Sequence, residues 1–274
     1  MWSGPQRVTS NMHKQTAIQG QSARKTKRAS QHQAYVLHQY PYSESSLILE
    51  LLTREKGRIV AIAKGAKKPT SNFRSLLLPL QLLRLEYTYT ESELGEIGSI
   101  RGAERAGGPA TPKDEALLAG MYLNELLMRM LVRGEPHAAI FDSYHTTLHV
   151  LSHAPGAALE AVLRSFELIL LRQLGMLPDL SRQTLGHDNV APDQRYALIP
   201  EIGLHHVRDG RRSLLGQQWM DIQHALQSEQ PLPECMRALG MNAVDLKPQL
   251  RAAFAHYLGG ELQTQRLMRG LRSL

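Results

Sequence analysis

The sequence predicts an α+β chain, a small β-barrel or closed sheet followed by a mainly helical domain. Three observations predict it. Short segments rich in Val, Ile, Leu, Tyr and Thr crowd the stretch from Ala34 to Arg101. Within them Leu83, Leu85, Tyr87 and Tyr89 alternate with Arg84, Glu86 and Thr88, the pattern of a half-buried antiparallel strand. After Gly107-Gly108-Pro109 the apolar period lengthens to that of a helix.

Residues 1–33 hold Arg7, Lys14, Arg24, Lys25, Lys27 and Arg28 and no Asp or Glu, so most of the net charge of +7 sits in this tail. It is Gln- and Ser-rich and carries few large apolar residues, a composition that does not offset the entropy cost of ordering. The segment reads as a basic disordered tail. A scanning arm for nucleic acid, a transit-like leader and a dispensable extension all remain open.

From Ala34 the strands run Ala34–Tyr40, Ser46–Thr53, Arg58–Lys64 and Leu80–Thr90, with a fifth near Glu96–Arg101. About five strands in a domain of residues 34–108 suit a barrel whose interior is filled by side chains, so a ligand must bind outside it or on its loops. The third connection reads Lys64-Gly65-Ala66-Lys67-Lys68-Pro69 and continues through Ser71, Phe73 and Arg74. Between Lys56 and Arg84 there is no acidic residue. Lys56, Arg58, Lys64, Lys67, Lys68 and Arg74 are the candidate phosphate contacts, since clustered cations bind polyanions by phosphate neutralisation and counterion release. A solvated loop between strands is the alternative.

Residues 109–274 read as helical. Thr111 as N-cap, Pro112 at the first helical position and Asp114 in the first turn predict a helix to about Arg133, with Leu123, Leu126, Leu127, Met130 and Leu131 on its apolar face. A second helix spans roughly Ala158 to Leu174 and stops at Gly175. Others are predicted at Ser213–Glu229, around Pro233–Gly240, and at Pro248–Leu258. His145, His149 and His153 recur every four residues and would share a helix face, but the helix ends at Ala154-Pro155-Gly156, and the spacing fits a dipole-stabilised helix end better than a metal site.

The 274 residues are 42% apolar and 21% charged, an ordinary globular composition. No apolar run approaches the length of a membrane span, and a soluble cytoplasmic protein with no membrane partner is expected. The single cysteine, Cys235, excludes an internal disulfide and any multi-cysteine zinc motif. No P-loop, Gly-x-Ser-x-Gly elbow, His-Glu-x-x-His or Gly-x-Gly-x-x-Gly pattern occurs, so neither catalytic residues nor a cofactor are assigned.

Three barrel segments, Tyr42-Ser43-Glu44-Ser45-Ser46, Leu52-Thr53-Arg54-Glu55-Lys56-Gly57 and Lys64-Gly65-Ala66-Lys67-Lys68-Pro69-Thr70-Ser71, resemble the RecO family of bacterial recombination mediators. So do Asn124-Glu125-Leu126-Leu127, Gly134-Glu135-Pro136, Arg164-Ser165-Phe166-Glu167 and Tyr257-Leu258-Gly259-Gly260, in the same order, over about residues 34–272. The resemblance implies an OB fold over 34–108 and a non-enzymatic DNA-binding protein of the RecFOR repair pathway. It also implies binding of single- and double-stranded DNA, strand annealing, contact with the single-strand-binding protein SSB, and RecA loading with RecR. It implies a nucleoid-associated location in the cytoplasm. An RNA-binding barrel is the other reading that the basic loop permits.

Many members of that family carry a four-cysteine zinc site after the Phe-Glu helix, whereas residues 180–206 here contain no cysteine. The helical domain is therefore expected to lack the zinc ribbon, and no metal is assigned. If the acidic, apolar-ended tail of SSB is engaged, Arg129, Arg133, Arg164 and Arg172 beside apolar helix faces are the candidate partner-binding residues, because a guanidinium fork binds a terminal carboxylate with two hydrogen bonds.

Overall fold

The computed structural model describes residues 30–92, 95–153, 156–208 and 212–272. The expected basic tail lies outside these residues as far as 29. Residues 30–33 already belong to a strand, so the barrel begins at Ser30 and not at Ala34. The barrel strands are β1 (Ser30–Pro41), β2 (Leu47–Thr53), β3 (Gly57–Ala63), β4 (Leu82–Ser92) and β5 (Gly95–Arg105). Their order is β1-β2-β3-β5-β4, closed by pairing of β4 with β1, and all neighbours are antiparallel except β3 and β5. The early start of β1 has a topological reason. Its first half pairs with β4, from Ser30 opposite Tyr87 to Tyr35 opposite Leu82, while its second half pairs with β2.

Alternation sorts these strands between two cores. Ala34, Val36, Leu49, Leu51, Leu83, Leu85 and Tyr87 fill the barrel interior. Gly98 leaves room for the Tyr87 ring, since a Cβ there would stand 3.3 Å from both that ring and Ala61. The neighbouring residues Tyr35, Leu37, Leu52, Leu80 and Leu82 face outward and join the core of the helical part. The barrel is thus apolar on one outer side as well as inside, because that side is covered.

Helices α1 (Asp114–Met130) and α2 (Ala138–His153) provide much of the cover, and α3 (Ala157–Gln173) packs against α2. Helix α1 starts two residues later than the predicted cap, with Lys113 as N-cap: its carbonyl accepts the Leu117 N–H at 3.1 Å. It also stops at Met130, because Leu131 turns extended, which carries Arg133 off the helix. Helix α3 ends as predicted, with Gly175 in the left-handed region and the Met176 N–H donating to Leu171 O.

Residues 195–215 supply a three-stranded sheet, β6 (Arg195–Ile199), β7 (Gly203–His206) and β8 (Leu214–Leu215), in the order β7-β6-β8. Protein groups hold it together. Trp219 Nε1 donates to Tyr196 O at 3.0 Å, Gln249 Oε1 accepts the Leu198 N–H at 2.6 Å, and Thr184 packs on Gly203 so closely that a Cβ there would lie 2.1 Å from its hydroxyl. The predicted helix from Ser213 begins at Gly216 instead, since Leu214 and Leu215 pair with β6. It is α4 (Gly216–Gln227), followed by α5 (Pro231–Leu239), α6 (Ala243–Leu258) and α7 (Gln263–Arg272). Helix α6 runs through Pro248, five residues after its start, and α7 is a helix that the sequence periodicity does not predict. Its N-terminus is capped by the Glu125 carboxylate, which accepts the N–H groups of Gln263 and Thr264 at 2.8 Å each.

One joint fixes the barrel on the helices. Glu50 is buried on β2 and accepts hydrogen bonds from Arg58 Nε at 2.9 Å and from Arg133. Arg58 also donates to the carbonyls of Met128 and Leu131 at the C-terminal end of α1, where unsatisfied carbonyls and the helix dipole favour a cation. The Gly134 N–H donates to Arg58 O at 2.8 Å, extending the β3 edge. Gly57, with φ +62°, lies under this contact, and a Cβ on it would stand 1.7 Å from Glu135 O.

This geometry predicts that Gly57→Ala lowers stability by about 2–4 kcal/mol, since it adds a backbone collision to the roughly 1–2 kcal/mol cost of a left-handed residue. Gly65→Ala is the matched control. Its φ is +71° but only the aliphatic stem of Lys68 lies near, at 3.7 Å, so about 1–2 kcal/mol is expected. Thermal unfolding of the two variants measures the difference, and equal destabilisation would show that the approach to Glu135 adds nothing.

Candidate nucleic-acid interface

The β3–β4 connection, residues 64–81, is knitted by its own backbone. The Lys68 N–H donates to Gly65 O, Ser71 to Lys68 O, Arg74 to Ser71 O, and both Leu76 and Leu77 to Phe73 O, at 3.0–3.3 Å. Ala66 and Leu77 are buried among the barrel's interior side chains, which pins the loop at two points. A second tie comes from Lys67, whose N–H donates to Ser45 O at 2.9 Å and whose ammonium donates to Ser43 O at 2.8 Å. The β1–β2 and β3–β4 connections therefore form one continuous rim at one end of the barrel.

Lys64, Lys67, Lys68 and Arg74 are all exposed on that rim. Arg101 on β5 joins them: with Lys64 and Lys68 it lines a cleft of about 340 Å³. Lys67 and Arg74 border a second cleft of about 490 Å³, and Phe73 contributes to both. Among the described residues Lys64, Lys68, Arg74 and Arg101 have no carboxylate partner, so their charge is available. Arg84, by contrast, donates to Glu104 at 2.8 Å. Tyr42, 59% exposed, stands on the β1–β2 side of the rim.

The other two predicted phosphate-binding residues are elsewhere. Strand β3 runs from Gly57 to Ala63, so Lys56 and Arg58 lie at its opposite end, about 20 Å from Lys64 at 3.3 Å per residue. Lys56 is exposed in the β2–β3 turn. The Arg58 side chain is 14% exposed and committed to Glu50 and the end of α1. Sequence reasoning missed Arg101 because it lies beyond the acid-free stretch and reaches Lys64 only through barrel closure.

The four arginines of the helical part are not brought together. Arg164, 3% exposed, donates to the buried carboxylate of Glu167 at 2.7 Å, and the Tyr122 hydroxyl donates to the same oxygen at 2.6 Å. Burial holds the Glu167 carboxyl above its ordinary pKa despite the pull of Arg164. Arg133 reaches Glu50, and Arg129 donates to the carbonyls of Leu258 and Glu261. Arg172, half-buried on α3, has no hydrogen-bond or ion-pair partner among the described residues.

The histidine series is divided too. His145 Nδ1 pairs with the Tyr35 hydroxyl at 2.7 Å across the barrel–helix boundary, while His153 turns back to His149 O at 2.9 Å. Among the described residues no group of three or more His, Cys, Asp and Glu side chains gathers to hold a metal ion. Cys235 is buried, which pushes its thiol up to about 12 and keeps it unreactive near neutrality. No described helix is long and apolar enough to cross a membrane.

A closed five-stranded barrel of OB type, with cations on its rim that have no carboxylate partner among the described residues and a helical body against one side, defines the class: an OB-barrel protein with a cationic rim. The chain belongs to the RecO family. The family model described as recombination protein O N terminal matches residues 28–105, and the one described as recombination protein O C terminal matches residues 115–201. Curated relatives named DNA repair protein RecO are similar along nearly their whole length. That of Paracidovorax citrulli is 49% identical over 257 residues, covering 90% of this chain and 99% of its own, and that of Delftia acidovorans is 48% identical over 252 residues, covering 90% and 98%. That of Verminephrobacter eiseniae is 47% identical over 250 residues, with the same coverage as the Delftia protein.

The placement of the arginines predicts that Arg164→Ala lowers stability by about 3–5 kcal/mol, because it leaves the buried Glu167 carboxylate without a cation, and that Arg58→Ala lowers it by about 1–3 kcal/mol, because Arg133 still pairs with Glu50. Urea titration checks this, and a decrease below about 1 kcal/mol in either would show that its carboxylate is satisfied without the arginine.

Proposed function

We propose that this protein is a non-enzymatic DNA-binding recombination mediator, which anneals complementary single strands and helps load RecA onto SSB-coated DNA together with RecR. The observation that carries the reading is the rim itself. Lys64, Lys67, Lys68, Arg74 and Arg101 converge from one connection and a strand of an OB-type barrel, with no acidic residue among residues 57–83. Cations of this kind hold a strand by its phosphates and leave most base edges free to pair, which is what annealing needs. Membership of a family whose relatives are named DNA repair proteins supports DNA as the polyanion. No hydrolysed cofactor is required, since pairing itself supplies the driving force.

The SSB tail and RecR enter as partners through the family resemblance. Of the candidate tail-binding arginines, Arg172 is the one whose guanidinium has no partner among the described residues, so a carboxylate from a partner is assigned to it rather than to Arg129, Arg133 or Arg164. Lys56 and the Arg58 end of β3 stand apart from the rim and are reached by DNA only if the strand continues along the barrel.

The test is annealing of complementary strands precoated with SSB, together with the salt dependence of single-strand binding. The wild type should accelerate annealing. Changing Lys64, Lys67, Lys68 and Arg74 to Glu should abolish the acceleration, and should flatten the slope of log affinity against log salt by about 0.7 for each phosphate that the rim no longer neutralises. Unchanged annealing and an unchanged slope in the folded variant would remove the rim from the function, and tighter binding to RNA than to DNA of the same sequence would favour an RNA-binding barrel.

A further inference from the structure

Phosphate binding alone explains the cations of the rim but not its apolar surface. Phe73 is half-buried and forms a wall shared by the two clefts. In the larger cleft it stands with Pro41, Leu47, Leu77 and Leu78, and Leu78 remains 43% exposed. Tyr40 and Tyr42, both exposed, flank Pro41 in the chain. A groove that served the backbone only would gain nothing from such a floor, whereas exposed apolar groups gathered in a concavity suit a ligand with an apolar face.

The charges narrow the choice of ligand. Lys67 and Arg74 border the apolar floor on one side of Phe73, and Lys64, Lys68 and Arg101 border the cleft on the other. A ligand that fits both features has a flat apolar body with an anionic group on each side, repeated along a chain. An unpaired nucleotide in a single strand has that form, and a base in a duplex does not, because its faces are covered by its neighbours. Stacking on an aromatic side chain is tolerant of sequence, since every base offers a π-face. The wall is also set in advance: the turns around Phe73 are hydrogen-bonded and anchored by buried Ala66 and Leu77, so binding does not have to order it.

We propose that the cleft beside Phe73 is a nucleobase pocket, in which one unpaired base lies against Phe73 and Leu78 while the flanking phosphates rest on Lys67 and Arg74 on one side and on Lys64, Lys68 and Arg101 on the other. The pocket makes the rim prefer single strands to duplex. It removes a single base from pairing and leaves the rest of the strand open, so it holds a strand in place during annealing without blocking it. This inference rests on the reading of the rim as a DNA-binding surface.

The experiment compares the full-length protein on an oligothymidine, on the same backbone with abasic sites in place of the bases, and on a duplex of equal length. The wild type should bind oligothymidine about five- to a hundredfold more tightly than the abasic strand, the scale of one stacked base. Phe73→Leu, which keeps an apolar side chain of similar bulk, and Phe73→Ala should both bring that ratio close to one. The melting temperature of Phe73→Leu shows that the change does not come from unfolding. Equal affinity of the wild type for oligothymidine and the abasic strand would overturn the pocket while leaving the phosphate-binding rim intact. Absence of binding to all three ligands would overturn the rim and the pocket together. An acidic peptide ending in phenylalanine that binds in a Phe73-dependent way, with oligothymidine and abasic strand still equal, would assign the pocket to a protein partner and would also overturn the proposal.

Discussion

The buried carboxylate of Glu50 is the constraint on which the arrangement of the molecule depends. A carboxylate this far from water is costly unless it is paired and hydrogen-bonded, and Glu50 recruits one arginine from the barrel and one from beyond the end of α1. Arg58 then directs its remaining donors to carbonyls that α1 leaves unsatisfied. One residue meets three separate needs: its guanidinium serves a buried anion and a helix C-terminus, and its backbone carbonyl accepts the Gly134 N–H at the edge of a strand. The close approach of Gly57 to Glu135 follows from this joint, because the chain leaving α1 must pass over the β2–β3 turn to deliver Arg133.

With one end of β3 fixed in this way, the other end becomes the exposed one. Lys64 follows directly on β3, and the connection it opens is tied to the β1–β2 connection by Lys67 and plugged into the barrel by Ala66 and Leu77. The helices cover the side of the barrel carrying Tyr35, Leu37 and Leu82, where the Tyr35 ring stands edge-on to Tyr144 at 5.0 Å between centroids and its hydroxyl meets His145. A surface that is cationic and preformed is left at the far end. Its positive charge is local: neighbouring Arg84 is neutralised by Glu104 and distant Arg54 by Asp142.

Local periodicity carried much of the fold. The alternation from Leu83 to Tyr87 placed those residues inside the barrel, and the stop at Gly175 marked the end of α3, because strand faces and helix C-caps are decided by neighbours in sequence. What escaped depends on distant partners. The Arg58 and Arg133 side chains read as free cations because the carboxylate that takes them is 8 residues from one and 83 from the other. Arg164 read as a face residue because nothing in a single helix stripe reveals that Glu167 is buried beside it. Leu214 and Leu215 read as helix since their partner residues are 18–20 positions earlier in the chain. Arg101 was invisible as a rim residue until β5 paired with β3 and β4. The basic rim itself was legible because four of its five cations lie in one connection.

Native-state hydrogen exchange in increasing urea tests the central role of the Glu50 joint most directly. If Glu50, Arg58 and Arg133 lock barrel to helices, amides of β2 and β3 and those of α1 should open with the same free energy and the same urea slope in the wild type. Glu50→Gln should split them into two sets, with the barrel strands opening at lower cost. Strands that already exchange independently of α1 in the wild type, or a single common opening that survives Glu50→Gln unchanged, would contradict the account.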